Sequence, residues 1–240
     1  MKKIIKFILM KISRIIYHVT PREFKKPYPY FESLYSKLED NLIRDTLLYF
    51  EEHIKNSIIF KDVWALRKTA VKTALSNDEN KNYYYLEFGV YEGRTSNFFS
   101  KYVNKFYCFD SFEGLKEDWV GQIEMNKGFF NLDKKVPKLN SNVEPIIGWV
   151  EDTLDDFLKK HNPKINFVHL DMDTYSPTKF TLKKLKPYLV NNSIIVFDEF
   201  YNYLGWKNGE FKALNEVFKE DEYLFRGFNV NSSQCYIQIK

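Results

Sequence analysis

The sequence predicts an α/β chain built on a doubly wound, mostly parallel sheet, closed by a C-terminal antiparallel hairpin and preceded by an N-terminal helical extension. Three observations carry that expectation. From residue 83 onward, short apolar runs alternate with helical periodicity, which implies right-handed crossovers and a parallel sheet. The runs YYYLEF, INFVHL and SIIVF are continuous rather than alternating, as strands covered on both faces must be. Near the end, EYLFRGF and QCYIQI flank NVNSS, the pattern of an antiparallel hairpin.

At about 100° per residue, Ile4, Ile5, Ile8, Leu9, Ile12, Ile15, Ile16 and Val19 share one face of a first helix. Lys3, Lys6, Lys11, Arg14 and His18 share the other, and Phe7 and Met10 are misplaced. Lys6, Lys11 and Arg14 interrupt every apolar run and no small-residue cleavage site follows, so the segment reads as neither a cleaved signal nor a membrane span. Two destinations stay open for its apolar face: an anionic membrane surface, or packing on the body of the protein or on a second subunit as a homodimer.

Three prolines make 20–31 an extended linker, and helical periodicity resumes over 32–54 and 61–76. After a turn at 77–82 we expect a strand at 83–88, a helix at 96–102 and a strand at 106–109. A polar, Gly-containing excursion at 113–142 is followed by strand 143–148, helix 153–160, strand 165–170, helix 177–188 and strand 193–197. A helix at 209–220 leads into the hairpin. The expected division is a helical cap over 1–60 and one ligand-binding domain over 61–240.

Composition narrows the function classes. A 44% hydrophobic and 18% aromatic content excludes disorder, and 28% charged residues exclude a polytopic membrane protein. Net charge is only +4, with no Lys/Arg stripe interleaved with aromatics, so no nucleic-acid partner is indicated. Cys108 and Cys235 lie in apolar, strand-like runs without C-x-x-C spacing. They read as buried thiols of a cytoplasmic protein, peripheral to the inner face of the membrane if the first helix binds lipid.

In a doubly wound sheet the ligand sits at the carboxyl ends of the strands, and the first strand-to-helix turn approaches it most closely. Glu87, Gly89 and Gly93 spell E-x-G-x-x-x-G at that turn, with Tyr91 standing where a dinucleotide pyrophosphate requires glycine. A ligand with an adenosine but no phosphates suits this spacing: S-adenosylmethionine. Asp110 ends the next strand, about 20 residues on, where an acid accepts hydrogen bonds from both ribose hydroxyls.

A second constellation lies farther along. Asp171 and Asp173 end one strand, Asp198 and Glu199 the next, all at the same sheet edge. Asp171, Asp198 and Glu199 are the candidate ligands of a hard cation, Mg²⁺ or Ca²⁺ rather than zinc, because all donors are oxygens. Asp171 and Asp173 are the candidate catalytic pair; alternatively, Asp173 caps the helix that begins near Pro177. His169 is expected to point away from Asp171's neighbours, as a core or adenine-side histidine. Tyr201, Tyr203 and Trp206 offer an acceptor wall, and 116–142 is placed over the same cleft.

The segments LEFGVYEGRTSNFF, FDSFEGLKEDW, VGQIEMNKGFF, GWVEDTL, LDMDTYSPT and IVFDEFYNYLGW resemble class I S-adenosylmethionine-dependent methyltransferases, of the branch related to macrocin-type sugar O-methyltransferases. The resemblance covers about 83–218 and leaves out the first sixty or so residues. It implies a Rossmann-like fold in which Glu87, Gly89 and Gly93 line the methionine end of the cofactor and Asp110 takes the ribose. Ser111 and Phe112 would flank the adenosine, and Glu151 and Asp152 would hold the adenine rim. It also implies Mg²⁺ at the acids of the last two strand ends, although Glu199 stands where the macrocin-type pattern usually has Asp. The expected activity is methyl transfer to a hydroxyl of a sugar or glycan-related small molecule, the competing reading being a non-catalytic adenosyl-binding scaffold recruited by the N-terminal helix.

Overall fold

The computed structural model describes residues 34–80 and 82–240, together with helical positions 9, 11–13, 15, 16 and 19. The linker at 20–31 and the other positions of the amphipathic segment, most of its basic face included, lie outside the described residues. Leu9, Ile12, Ile15, Ile16 and Val19 are exposed. The chain divides into two compact units, 1–41 and 42–240.

Among the described residues one sheet of eight strands is formed: β1 (Ile58–Phe60), β2 (Tyr84–Phe88), β3 (Phe106–Asp110), β4 (Val143–Ile147), β5 (Ile165–Leu170), β6 (Leu189–Phe197), β7 (Tyr223–Asn229) and β8 (Cys235–Ile239). Their order is β1-β7-β8-β6-β5-β2-β3-β4. β8 runs antiparallel to β6 and β7, and the remaining pairings are parallel. The mostly parallel sheet and the terminal hairpin are as the sequence predicts. β1 is an addition: three residues on the N-terminal side of the expected boundary at 61 extend the sheet by pairing with β7. Three residues carry too little periodicity to be read as a strand without their partner.

The helices are α1 (Leu34–Lys55), α2 (Val63–Ser76), α3 (Arg94–Phe99), α4 (Val150–His161), α5 (Tyr175–Leu185) and α6 (Glu210–Val217). α4 begins three residues earlier than expected and carries Glu151 and Asp152 in its first turn, with Lys159, Lys160 and His161 in its last, each sign opposing the helix dipole. Alternation along the strands divides the core in two. Leu86, Phe88, Val168, Leu170, Ile195 and Phe197 pack with Leu154 and Phe157 of α4, Leu182 of α5 and Leu214 of α6. Tyr85, Cys108, Phe167, Ile194 and Val196 pack with Leu66, Ala70, Val71 and Ala74 of α2 and Phe99 of α3. Glu87 and His169 fall in strand positions that share the α2/α3 face, with no water to solvate them, since both are 0% exposed.

Candidate active site

The switch point of the sheet lies between β2 and β5, because the chain passes from β2 to β3 and β4 on one side and from β5 to β6 on the other. Outside the carboxyl ends of these strands, where such sheets bind ligands, a cleft of about 580 Å³ opens. That volume suits a nucleoside-sized ligand.

Gly89 shapes its floor. Its φ of +89° disfavours any side chain, and a Cβ there would stand 1.7 Å from the Asp171 carbonyl oxygen, so the loop after β2 touches the end of β5 through backbone alone. Asp110 holds the same loop from the other side. Its Oδ2 accepts the Val90 and Tyr91 N–H groups at 2.7 and 2.9 Å, and its Oδ1 accepts the Phe112 N–H at 2.7 Å. Three of about four acceptor positions on this carboxylate are thus filled, leaving room for a further donor from the cleft it lines.

Beneath the floor runs a buried polar chain. Ser96 donates from its hydroxyl to Glu87. Glu87 Oε1 meets His169 Nδ1 at 2.8 Å, and His169 Nε2 lies 3.3 Å from Asp198 Oδ1. Arg67 of α2 closes the chain by an ion pair with the same oxygen, and Gln234 donates to Oδ2 at 3.3 Å. Burial opposes a charged imidazole, but the bonds to Asp198 and Glu87 outweigh it and raise His169 to about 9. Burial likewise opposes ionisation of Asp198, yet His169 and Arg67 hold its carboxyl well below the usual range.

Above the floor the acids outweigh the cations that reach them, His169 and Arg67 acting on Asp171 alone among the three. Asp171, Asp173 and Glu199 each offer a carboxylate oxygen within 4.8 Å of the others. Burial first, and the neighbouring Asp198 charge second, push Asp171 up to about 7. Asp173 is raised by burial and by Asp171, Glu199 by burial and by Asp198. Asp173 sits at φ +63°, a left-handed conformation that a buried aspartate adopts at a cost. It does not cap α5: Thr174 is the N-cap, without a side-chain bond. Glu199 Oε2, Glu210 Oε1, Tyr203 OH and Trp119 Nε1 are buried with no protein partner. An all-oxygen set with an orphaned carboxylate oxygen fits a hard divalent cation.

The remaining predicted residues divide clearly. Gly89, Asp110, Ser111, Glu151, Asp171, Asp173 and Glu199 line the cleft. Glu87 does not, because its strand position directs it to the α2/α3 face and to His169. Gly93 is the αL cap of α3, Phe112 is core at 1% exposure and Asp152 is exposed, so these three do not line it either. Asp198, expected beside Asp171 and Glu199 in one cation site, is instead committed to Arg67, His169 and Gln234. A second grouping, His169 with Asp171 and Asp198, keeps it within 4.8 Å of Asp171. The acceptor wall is corrected. Tyr201 donates its hydroxyl to the Asn229 carbonyl at 2.7 Å, and Trp206 packs on Phe50 and Phe211, so both belong to the core. Tyr203 is also buried, against Trp119.

Trp64, Arg67 and Trp119 line the cleft although the sequence reading passed over them. Arg67 had a signal: it stands on the stripe of Leu66, Ala70, Val71 and Ala74 that α2 buries, where an unpaired cation is not tolerated. The excursion lies over the cleft as expected, folded back through Leu115 N–H to the Phe129 carbonyl (2.9 Å) and Trp119 N–H to the Met125 carbonyl (3.0 Å).

Fold and cleft together are those of a Rossmann-like, doubly wound domain with a nucleoside-sized cleft beside its first glycine turn. Residues 86–200, 115 of the 240, match the family model described as a methyltransferase domain, and this match supports an S-adenosylmethionine-dependent methyltransferase. Two structures of CalS11 share its fold: the calicheamicin methyltransferase at TM-score 0.61 and 19% identity, covering 90% of this chain and 95% of that one, and the apo form, a TDP-rhamnose 3′-O-methyltransferase, at 0.54 and 18%, covering 95% and 92%. The O-methyltransferase NovP aligns at TM-score 0.55 and 18% identity over 74% of this chain and 79% of its own. No curated protein matches the chain by sequence.

Proposed function

We propose that the enzyme transfers a methyl group from S-adenosylmethionine to a hydroxyl of a sugar or glycan-related small molecule, assisted by Mg²⁺. The observation that carries this reading is the clustered, buried trio Asp171, Asp173 and Glu199 beside Gly89, at the point where a sulfonium methyl group and an acceptor would meet. The architecture it shares with CalS11 and NovP supports an oxygen acceptor.

In this assignment Gly89 gives the cofactor close access to backbone, while Asp110 and Ser111 hold the ribose and Glu151 the adenine rim. Asp173, strained and set apart from the Asp198 chain, accepts the acceptor's hydroxyl proton as the O–CH₃ bond forms and the C–S bond breaks. Asp171 and Glu199 would hold the cation. Mg²⁺, when bound, lowers the pKa of a coordinated hydroxyl and screens the three acids from one another. Holding the reactants in line supplies much of the remaining acceleration. Trp119 and the excursion provide the wall for the acceptor in place of Tyr201 and Trp206. Free, buried Cys108 and Cys235 support a reducing, cytoplasmic setting.

The test is transfer of labelled methyl from S-adenosylmethionine to a panel of nucleotide sugars and glycosides. Asp173→Asn should abolish transfer while S-adenosylhomocysteine affinity stays within about three-fold. Tight cofactor binding with no transfer to any hydroxylated acceptor would instead favour the scaffold reading.

A further inference from the structure

We infer that Glu210 is the positioning residue of Glu199, fixing the turn that delivers the Glu199 carboxylate to the cleft, an inference that rests on the proposed cation-binding role of Asp171 and Glu199. α6 buries one stripe, formed by Glu210, Ala213 and Leu214 at i, i+3 and i+4. A glutamate on such a stripe is desolvated at a cost that only a partner inside the protein offsets. Glu210 is 0% exposed, and its Oε2 accepts the Glu199 N–H at 3.2 Å. Its other oxygen, Oε1, has no partner among the described residues. The bond to Glu199 is therefore the one this carboxyl group makes.

The turn after β6 shows what the bond does. The Asp198 N–H donates to the Leu170 carbonyl at 3.0 Å and the Phe200 N–H to the Ser233 carbonyl at 3.0 Å, so backbone holds the residues on either side. Between them, the Glu199 N–H relies on a side chain brought from eleven residues along the chain. At this peptide the neighbouring acids part, Asp198 toward Arg67 and His169 beneath the floor and Glu199 into the cleft. Rotation of the peptide would carry Glu199 away from Asp171 and Asp173, with which it shares a 4.8 Å cluster. Gly209 lets α6 begin close enough to prevent that, since a Cβ there would stand 2.2 Å from the Tyr203 hydroxyl. Glu210 itself does not line the cleft, so it acts through Glu199 rather than on a ligand.

Two variants of the full chain test the inference: Glu210→Gln keeps an oxygen acceptor at the same reach, and Glu210→Met fills similar space without one. Hydrogen exchange followed by NMR should find the Glu199 amide protected in wild type and in Glu210→Gln, and about ten-fold or more less protected in Glu210→Met. Calorimetry with MgCl₂ should divide the same way, Glu210→Gln staying within about three-fold of wild type and Glu210→Met binding about ten-fold more weakly. S-adenosylhomocysteine affinity should be unchanged in both. If Glu210→Met is insoluble, Glu210→Asp takes its place with the same expectations, because its shorter side chain withdraws the acceptor. Equal Mg²⁺ affinity in the variants with and without the acceptor would overturn the inference, as would unchanged protection of the Glu199 amide or a parallel loss of S-adenosylhomocysteine binding. A wild type that binds S-adenosylhomocysteine but no Mg²⁺ would instead remove the cation reading, and this inference with it.

Discussion

Glu87 and His169 face each other across adjacent parallel strands, Oε1 to Nδ1 at 2.8 Å, with both side chains wholly excluded from solvent. The acid of the glycine-turn motif therefore serves the sheet. It compensates a histidine that in turn holds Asp198, so the floor of the cleft is set by one connected polar chain from Ser96 to Arg67.

Breaking that chain at one member strands the others. Glu87→Ala should lower the unfolding free energy by about 3 kcal/mol or more, the cost of leaving a buried partner uncompensated. Urea denaturation at neutral pH measures it. A loss below about 1 kcal/mol would mean that the pair contributes little.

The same pair sets a pH dependence. His169 titrates near 9 in the fold against 6.5 ordinarily, so the folded state binds the proton more tightly. Its stabilisation is complete below about pH 6.5 and is lost as pH rises through about 9, an overall decline of up to about 3 kcal/mol. Thermal melts across that window should show the decline in wild type and a flatter profile in His169→Phe, whatever the absolute stability of the variant.

Cation binding should run the other way. Asp171, raised to about 7 by burial and by Asp198, is largely protonated in mildly acid solution and ionised above neutrality. Mg²⁺ competes with that proton and with those that burial favours on Asp173 and Glu199, so its affinity should climb with pH through about 7, at about ten-fold per pH unit for each proton displaced. Calorimetry with MgCl₂ reports the profile. A pH-independent affinity would place the metal away from Asp171.

Gly89→Ala asks for a Cβ where the Asp171 carbonyl already stands. We expect either an insoluble chain or a loss of several kcal/mol, because a left-handed φ and a backbone clash combine there. Tyr201→Phe provides the contrast: it removes one hydrogen bond to Asn229, costs about 1 kcal/mol of stability and leaves acceptor KM unchanged. A raised KM would return Tyr201 to the acceptor wall.

Deleting residues 1–19 should leave S-adenosylhomocysteine affinity unchanged, because the cleft is built within 42–240. Liposome co-sedimentation and light scattering then decide between membrane and partner for the exposed Leu9, Ile12, Ile15 and Ile16.

The central parallel strands were legible because burial on both faces makes each an uninterrupted apolar run, and the glycine turn was legible because only glycine meets its conformational demand. Side-chain direction at strand ends was not. Asp198 and Glu199 are adjacent in sequence, yet one turns beneath the floor and the other lines the cleft, a division that depends on α2 delivering Arg67 from over a hundred residues away. Tyr201 and Trp206 were misread for a related reason. An aromatic in a Gly- and Asn-containing loop looks accessible until Phe50, Phe211 and Asn229 arrive from distant segments to enclose it.

β8 is the last in sequence of the eight described strands, yet it occupies an interior position of the sheet, and β7 and β1 reach β6 only through it. During synthesis, then, two strands must wait unattached while the rest of the domain assembles, and Gln234 and Ser233, which bond Asp198, come just before the strand that completes the sheet. A nascent chain stalled short of β8 would display the open edge of β6, a row of unpaired backbone donors and acceptors suited to recruiting chaperones or to aggregation. Closure of the sheet and completion of the polar chain at Asp198 thus arrive with the same few residues.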